Sequence, residues 1–278
     1  MRPFLLLGLA VAAQIASSAP LAAQSSDSEA RGWRLAGLRS CFCVQLLLDP
    51  ASEVLQELPT GYTPVAASQA GNLHRSLRDV VEGQPEFASW SPSRLCFQAV
   101  DTIRTSEFTL GDRSGRHPQL LAVWTVTAAG PDGAAHDVAL QLFANSPRLI
   151  RSARLAGQPM QEARLKVGKV PEEDENGVPS GDDRFEVKLG KATVTWDGRL
   201  ARDSVAVQAP LETAWTAMAA RGALVKGRLT LSPATSRAMV GSLKVDGKDE
   251  FAKALKSSPT RFAGPAYHGG GGTISFER

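Results

Sequence analysis

Apolar residues recur along this chain in short alternating or unbroken runs separated by proline, glycine and acidic turns, the pattern of many strands and few helices. Ser40–Leu48 is almost continuously apolar and predicts a central strand. Asp49-Pro50 then offers an N-cap and a first-turn proline for a short helix running through Glu57, which Pro59-Thr60-Gly61 ends. Leu73, Leu77, Val80 and Val81 mark a helical stripe over 72–81, with His74 and Asp79 beside it as surface or edge residues. Leu95, Phe97, Ala99 and Asp101 share one face of a long strand over 93–104. After a polar turn at 112–118, Gln119–Ala128 alternates Leu121, Val123 and Thr125 against Leu120, Ala122, Trp124 and Val126. Pro131-Asp132-Gly133 turns the chain, and His136–Phe143 completes a hairpin.

The second half repeats the style. Residues 184–189 and 191–196 alternate around Gly190, Asp197-Gly198 reads as a turn, and 203–208 is extended. Pro210–Gly222 reads as the clearest helix, with proline at its start, glycine past its end, and Leu211, Trp215 and Met218 along one face. Lys226–Leu231 and Ala238–Val245 follow as strands. Phe251 and Leu255 mark a last short helix ending before Pro259, and the glycines at 269–272 form a loop feeding a terminal strand to Phe276. No repeat of fixed period appears. The expected fold class is therefore α+β and β-dominated, a single domain of about ten strands with three or four packed helices.

The N-terminus changes the picture of where the chain works. One early cation, an apolar run too short to span a bilayer, and small residues up to Ala23 predict a cleaved signal peptide over 1–23. A polar disordered tail over 24–32 precedes the domain at 33–278, and no later stretch is apolar enough for a membrane span. The expected location is secreted or periplasmic. With 31 basic against 28 acidic residues the formal charge is only +3. The arginines are scattered, which excludes a nucleic-acid partner. Cys41, Cys43 and Cys96 allow a bridge from Cys96 to either of the others in an oxidising compartment.

Candidate chemistry is sparse. Glu53 and Glu57 share a helix face, but as surface residues. His136 and Asp137 are adjacent on a strand and so point to opposite sides, which prevents direct cooperation. The acidic run at 171–183 lacks the alternating ligands of a calcium loop and reads as a solvated hairpin loop. His268-Gly-Gly-Gly271 resembles an oxyanion loop, yet no G-x-S-x-G elbow accompanies it. Zinc-protease, Walker and dinucleotide motifs are absent, so neither a metal nor a cofactor is expected.

One stretch carries a family resemblance. Leu155-Ala-Gly-Gln-Pro-Met-Gln-Glu-Ala163 resembles the signature of the acetoacetate decarboxylase-like family, in which an acidic residue precedes Trp-Gly-Phe-Pro-Lys-Lys. Leu48-Asp-Pro and Glu57-Leu-Pro-Thr-Gly-Tyr62 are similar to an early segment of that family. Gly157 and Pro159 are the identical positions. The resemblance implies a largely antiparallel, cone-like β-barrel around a small-molecule cavity. The family's reaction needs a lysine whose amine is made nucleophilic by burial and a second ammonium beside it. Here Met160 and Gln161 stand at those positions, and Arg154 replaces the acidic residue. The expectation is an exported, non-catalytic β-cone binding a small apolar or weakly acidic molecule, with Arg154 and Gln161 as polar anchors beside Met160. Two alternatives are a Schiff-base decarboxylase or aldolase-like enzyme using Lys166, and an envelope protein acting through its surface.

Overall fold

The computed structural model describes residues 33–277 apart from 101–102, 105–108, 111–118, 156, 168–171, 174–178, 181, 190–191, 202–204 and 220–221. The expected signal peptide, the tail, Asp101, the polar turn at 112–118 and most of the acidic loop lie outside the described residues. At that loop, Glu172–Glu173 pairs with Pro179–Ser180 in a short antiparallel ladder.

Strand β1 (Trp33–Leu48) explains its unbroken apolar run by being covered on both faces. Phe42, Val44 and Leu46 pack on one side, and Cys41 and Cys43 on the other. Next come helix α1 (Arg75–Gly83), β2 (Ser91–Val100), β3 (Gln119–Ala129) and β4 (Ala135–Ala144). Strands β1 to β4 pair antiparallel in order. Helix α2 (Pro147–Leu155) leads to β5 (Met160–Glu162), β6 (Arg164–Val167), β7 (Asp182–Leu189) and β8 (Ala192–Leu200). The chain continues through β9 (Leu211–Met218), β10 (Leu224–Leu231), β11 (Ala234–Arg237) and β12 (Met239–Asp246). It ends with α3 (Glu250–Ser257), β13 (Arg261–Ala263) and β14 (Ala266–Glu277).

Seven strands close a ring in the order β1, β2, β3, β4, β9, β10, β14 and back to β1. Every junction is antiparallel except β4 to β9, where Val138 and Ala139 pair in parallel with Thr216 and Ala217. The far half of the same β4 edge pairs in parallel with β5. A four-stranded sheet, β12-β8-β7-β6, stands beside the ring. This is the β-dominated α+β fold with a cone-like barrel expected from the sequence.

Two apolar clusters follow from the period-two alternation of strands. The inner one joins Leu121, Val123, Leu142, Trp215, Leu229 and Ile274, with Leu149 and Ile150 of α2. The outer one places Phe251 of α3 edge-on to Trp124 at 4.9 Å and Phe143 at 5.8 Å, and Phe42 near Trp196 of the second sheet at 5.8 Å. Asp249 caps α3 by accepting from the Ala252 amide at 2.9 Å.

Four sequence expectations need correction. Pro210–Gly222 is no helix: Leu211–Met218 is strand β9, paired along its length with β10, and Gly222 (φ 76°) lies in the hairpin turn between them. The glycines before the C-terminus are inside strand β14, where a Cβ on Gly272 would lie 2.5 Å from the Thr230 carbonyl oxygen and one on Gly269 2.6 Å from that of Pro233. Their role is close backbone approach. Asp197-Gly198 continues β8, paired with Ser242 and Gly241. The helix expected to start at Asp49 is a 3₁₀ turn over Glu53–Glu57, preceded by a turn in which Asp49 Oδ1 accepts from the Ala51 amide at 2.8 Å.

Candidate functional site at the mouth of the cone

Among the described residues the inner wall of the ring is mainly apolar, with Gln98 buried within it and the other polar side chains of β1 to β4 gathered toward one end. Gln45 of β1 lies opposite Arg94 of β2, which lies opposite Thr125 of β3. Thr127 of β3 lies opposite Asp137 of β4. Cross-strand partners share a face, so these residues form one polar patch across four strands.

Arg94 is its centre. Nη2 donates to Asp137 Oδ2 in a close ion pair and to Thr213 Oγ1 of β9 at 2.6 Å. Thr127 Oγ1 donates to Asp137 Oδ1 at 3.4 Å. Both charged side chains keep 27% of their surface exposed. Burial raises the Asp137 carboxyl above its ordinary pKa, with the charge of Arg94 and the Thr127 hydroxyl working the other way. Arg94 Nε is buried and has no hydrogen-bond partner among the described residues, an arrangement that is costly unless something else accepts from it.

Arg94 and Asp137 face a cavity of about 410 Å³, also walled by Gln45, Asn72, His74 and His136. A second cavity of about 350 Å³ shares Ala135, His136 and Asp137 and reaches Trp215, Thr216, Lys226 and Arg228. Together they have the volume of a site for a small organic molecule. His136 Nε2 is 3.0 Å from both carboxylate oxygens of Asp132, which it holds below the usual carboxylate range. A Cβ on Gly130 would lie 2.8 Å from the His136 ring, so a glycine leaves room for it. His74 caps α1: its Nδ1 lies 3.3 Å from the Ser76 amide and 2.7 Å from the Ser76 hydroxyl, and burial lowers its pKa.

Deeper in the ring, Cys43 and Cys96 are register partners and form a disulfide. Cys41 is the free thiol, pushed up to about 12 by burial against the opposing pull of Arg94. The side-chain oxygens of Gln98 and Thr125 and the indole nitrogen of Trp215 are also buried without partners among the described residues. Among those residues no group of three His, Cys, Asp or Glu is placed to hold a metal ion, and no helix is long and apolar enough to cross a membrane.

The residues singled out from the family-like stretch fall elsewhere. Met160 is 1% exposed in the inner apolar cluster, paired with Leu142. Gln161 is exposed. Arg154 is exposed at the end of α2, where its Nε donates to the Met160 carbonyl at 2.8 Å. Gly157 (φ 87°) makes the bend between them, and its amide and that of Gln158 return to the last carbonyls of α2. Lys166 is on β6, opposite Glu186 and outside the ring. Met160, Gln161 and Arg154 line neither cavity. Sequence reasoning passed over Arg94 and Thr213, and it weighed Asp137 only beside His136, although both residues line the same two cavities. The available signal was a lone arginine and a lone aspartate inside strands otherwise patterned for burial.

The ring of strands with an interior cavity defines an acetoacetate decarboxylase-like fold, and comparison with solved structures agrees. No family model and no curated protein matches the chain. The enduracididine biosynthesis enzyme MppR complexed with pyruvate is similar over 88% of each chain, with TM-score 0.52 and 12% identity. The same enzyme with HEPES bound is similar with TM-score 0.51 and 12% identity, over 89% of this chain and 86% of that one. An acetoacetate decarboxylase-like enzyme from Sphingomonas wittichii RW1 matches over 88% of this chain and 89% of its own, with TM-score 0.50 and 13% identity.

Proposed function

We propose that this chain is an exported enzyme that binds a small carboxylic acid at the mouth of its cone, with Arg94 as the anchor, and moves a proton on it. The observation that carries this reading is Arg94 itself. Its Nη2 is held by Asp137 and Thr213, its Nε is buried with no hydrogen-bond partner among the described residues, and the side chain lines a cavity with 27% of its surface exposed. A carboxylate is the group whose geometry and charge suit that donor. Asp137, with its pKa raised by burial, and the His136–Asp132 pair are the proton-carrying groups on the same cavity walls. The solved neighbours are enzymes, one of them holding pyruvate, which weighs toward catalysis rather than the passive binding module expected from the sequence. A cleaved leader and an oxidising destination are supported by the Cys43–Cys96 bridge.

Among the described residues no lysine lines the Arg94 cavity, and Lys226 on the adjoining one is the nearest candidate for the family's Schiff-base route. We therefore assign proton transfer next to the carbonyl of a 2-oxo acid as the reaction class. Proton NMR of pyruvate in D2O tests it. The methyl signal is expected to exchange in the presence of the protein and to stop exchanging in Arg94→Gln and Asp137→Asn. Exchange no faster than in protein-free buffer would favour the binding module, for which the buried Met160 at the signature position speaks. A borohydride-trapped pyruvate adduct on Lys166 or any other lysine would restore the Schiff-base reading.

A further inference from the structure

We infer that the Arg94 site takes up its acid together with one proton, and that Asp137 is where the proton goes. This rests on the carboxylate reading above and adds how the site balances its charge. As it stands the site is a closed pair: one guanidinium, one carboxylate and two threonine hydroxyls. An acid arriving as its anion at the exposed part of the Arg94 guanidinium would set two carboxylates around a single guanidinium in a half-buried place. Two like charges at such separation raise each other's affinity for a proton, and burial already pushes Asp137 the same way.

Among the described residues only His136 adds a coulombic pull of the same sign as Arg94 on the Asp137 carboxyl, and it is the smallest of the causes acting there. Gln45 of β1, Thr127 of β3 and Thr213 of β9 are neutral. His74 of α1 is engaged with Ser76, and burial favours its uncharged form. His136, next to Asp137 on β4, is turned to Asp132. On β10, Arg228 faces Glu212 at 3.6 Å. Lys226 is exposed on the walls of the adjoining cavity, where solvent screens it.

The balance is then simple. The ligand enters as R–COO⁻, one H⁺ comes from solvent, and Asp137 changes from carboxylate to carboxylic acid. The ligand's oxygens accept from Arg94, and the new Asp137 hydroxyl donates either to them or to the 2-oxo carbonyl. The net charge of the site is unchanged. Affinity should fall about tenfold per pH unit above the point where unliganded Asp137 ionises.

Calorimetric titration of the full chain with pyruvate, in Bis-Tris and imidazole buffers of different ionisation enthalpy at about pH 6.5, counts the protons. The expected result is close to one proton taken up per bound acid, with affinity dropping as pH rises. In Asp137→Asn the uptake should vanish and the affinity become flat with pH. Pyruvate binding by the unaltered protein with no proton uptake overturns this inference and leaves the carboxylate reading standing. Uptake that persists in Asp137→Asn also overturns it, since the proton then lies elsewhere. No binding of pyruvate or propionate at all overturns the carboxylate reading and this inference with it.

Discussion

Arg94 and Asp137 occupy inward positions that Leu or Val would fill without losing hydration, and an ion pair half-removed from water returns little net stability. Their presence there makes better sense as a site than as a fastening. The neighbouring thiol illustrates the opposite case. Burial holds Cys41 protonated up to about 12, so the native protein is expected to consume no thiol reagent at mildly alkaline pH and to expose one thiol per chain after unfolding in guanidinium without reductant. A native protein that titrates one thiol would contradict the assignment of Cys43 and Cys96 to the bridge or of Cys41 to the interior. Gly227 makes a second claim at this scale. A Cβ there would lie 2.3 Å from Trp215 Cε2, so Gly227→Ala must displace the indole. The expected effect is a loss of about 1–3 kcal/mol in unfolding free energy, together with a shift in tryptophan emission. Unchanged stability would mean that Trp215 does not pack over Gly227.

At the level of elements, the decisive case is Leu211–Met218. Leu211, Trp215 and Met218 fit a helical face, and Gly222 with positive φ serves a helix end or a hairpin turn equally well. Pairing with β10 and β4 decides for the strand, which leaves Met218 exposed while Trp215 and Ala217 are buried. Because Ala214 is exposed in this strand, Ala214→Val should leave the thermal midpoint unchanged or slightly raised. In a helix the same change would cost about 0.5 kcal/mol. The rest of the fold was legible where local pattern and tertiary role coincide. β1, the β3–β4 hairpin and α3 show their periods in the chain. Helix α2 was passed over although Ser146-Pro147 is a start signal, with Ser146 Oγ accepting from the Leu149 amide at 3.3 Å, and Leu149, Ile150 and Ala153 are its buried stripe.

At the scale of the molecule, the site exists only because the ring closes. Arg94 and Thr213 are 119 residues apart in sequence, and no local pattern announces that β9 will lie against β4. The Arg94–Asp137 pair was hidden for the same reason: each residue looked like an isolated charge on its own strand. The disulfide ties the first two ring strands across a separation of 53 residues. Reduction, or Cys43→Ala with Cys96→Ala, should therefore lower unfolding free energy by about 2–4 kcal/mol. A chain equally stable after verified reduction would show that the bridge is absent from the folded protein. The measurement that bears most directly on the account is a crystal structure of the full chain grown with pyruvate. The account predicts the ligand's carboxylate within hydrogen-bond distance of the Arg94 guanidinium and its carbonyl beside Asp137. Pyruvate bound away from Arg94, or joined covalently to a lysine, would contradict it.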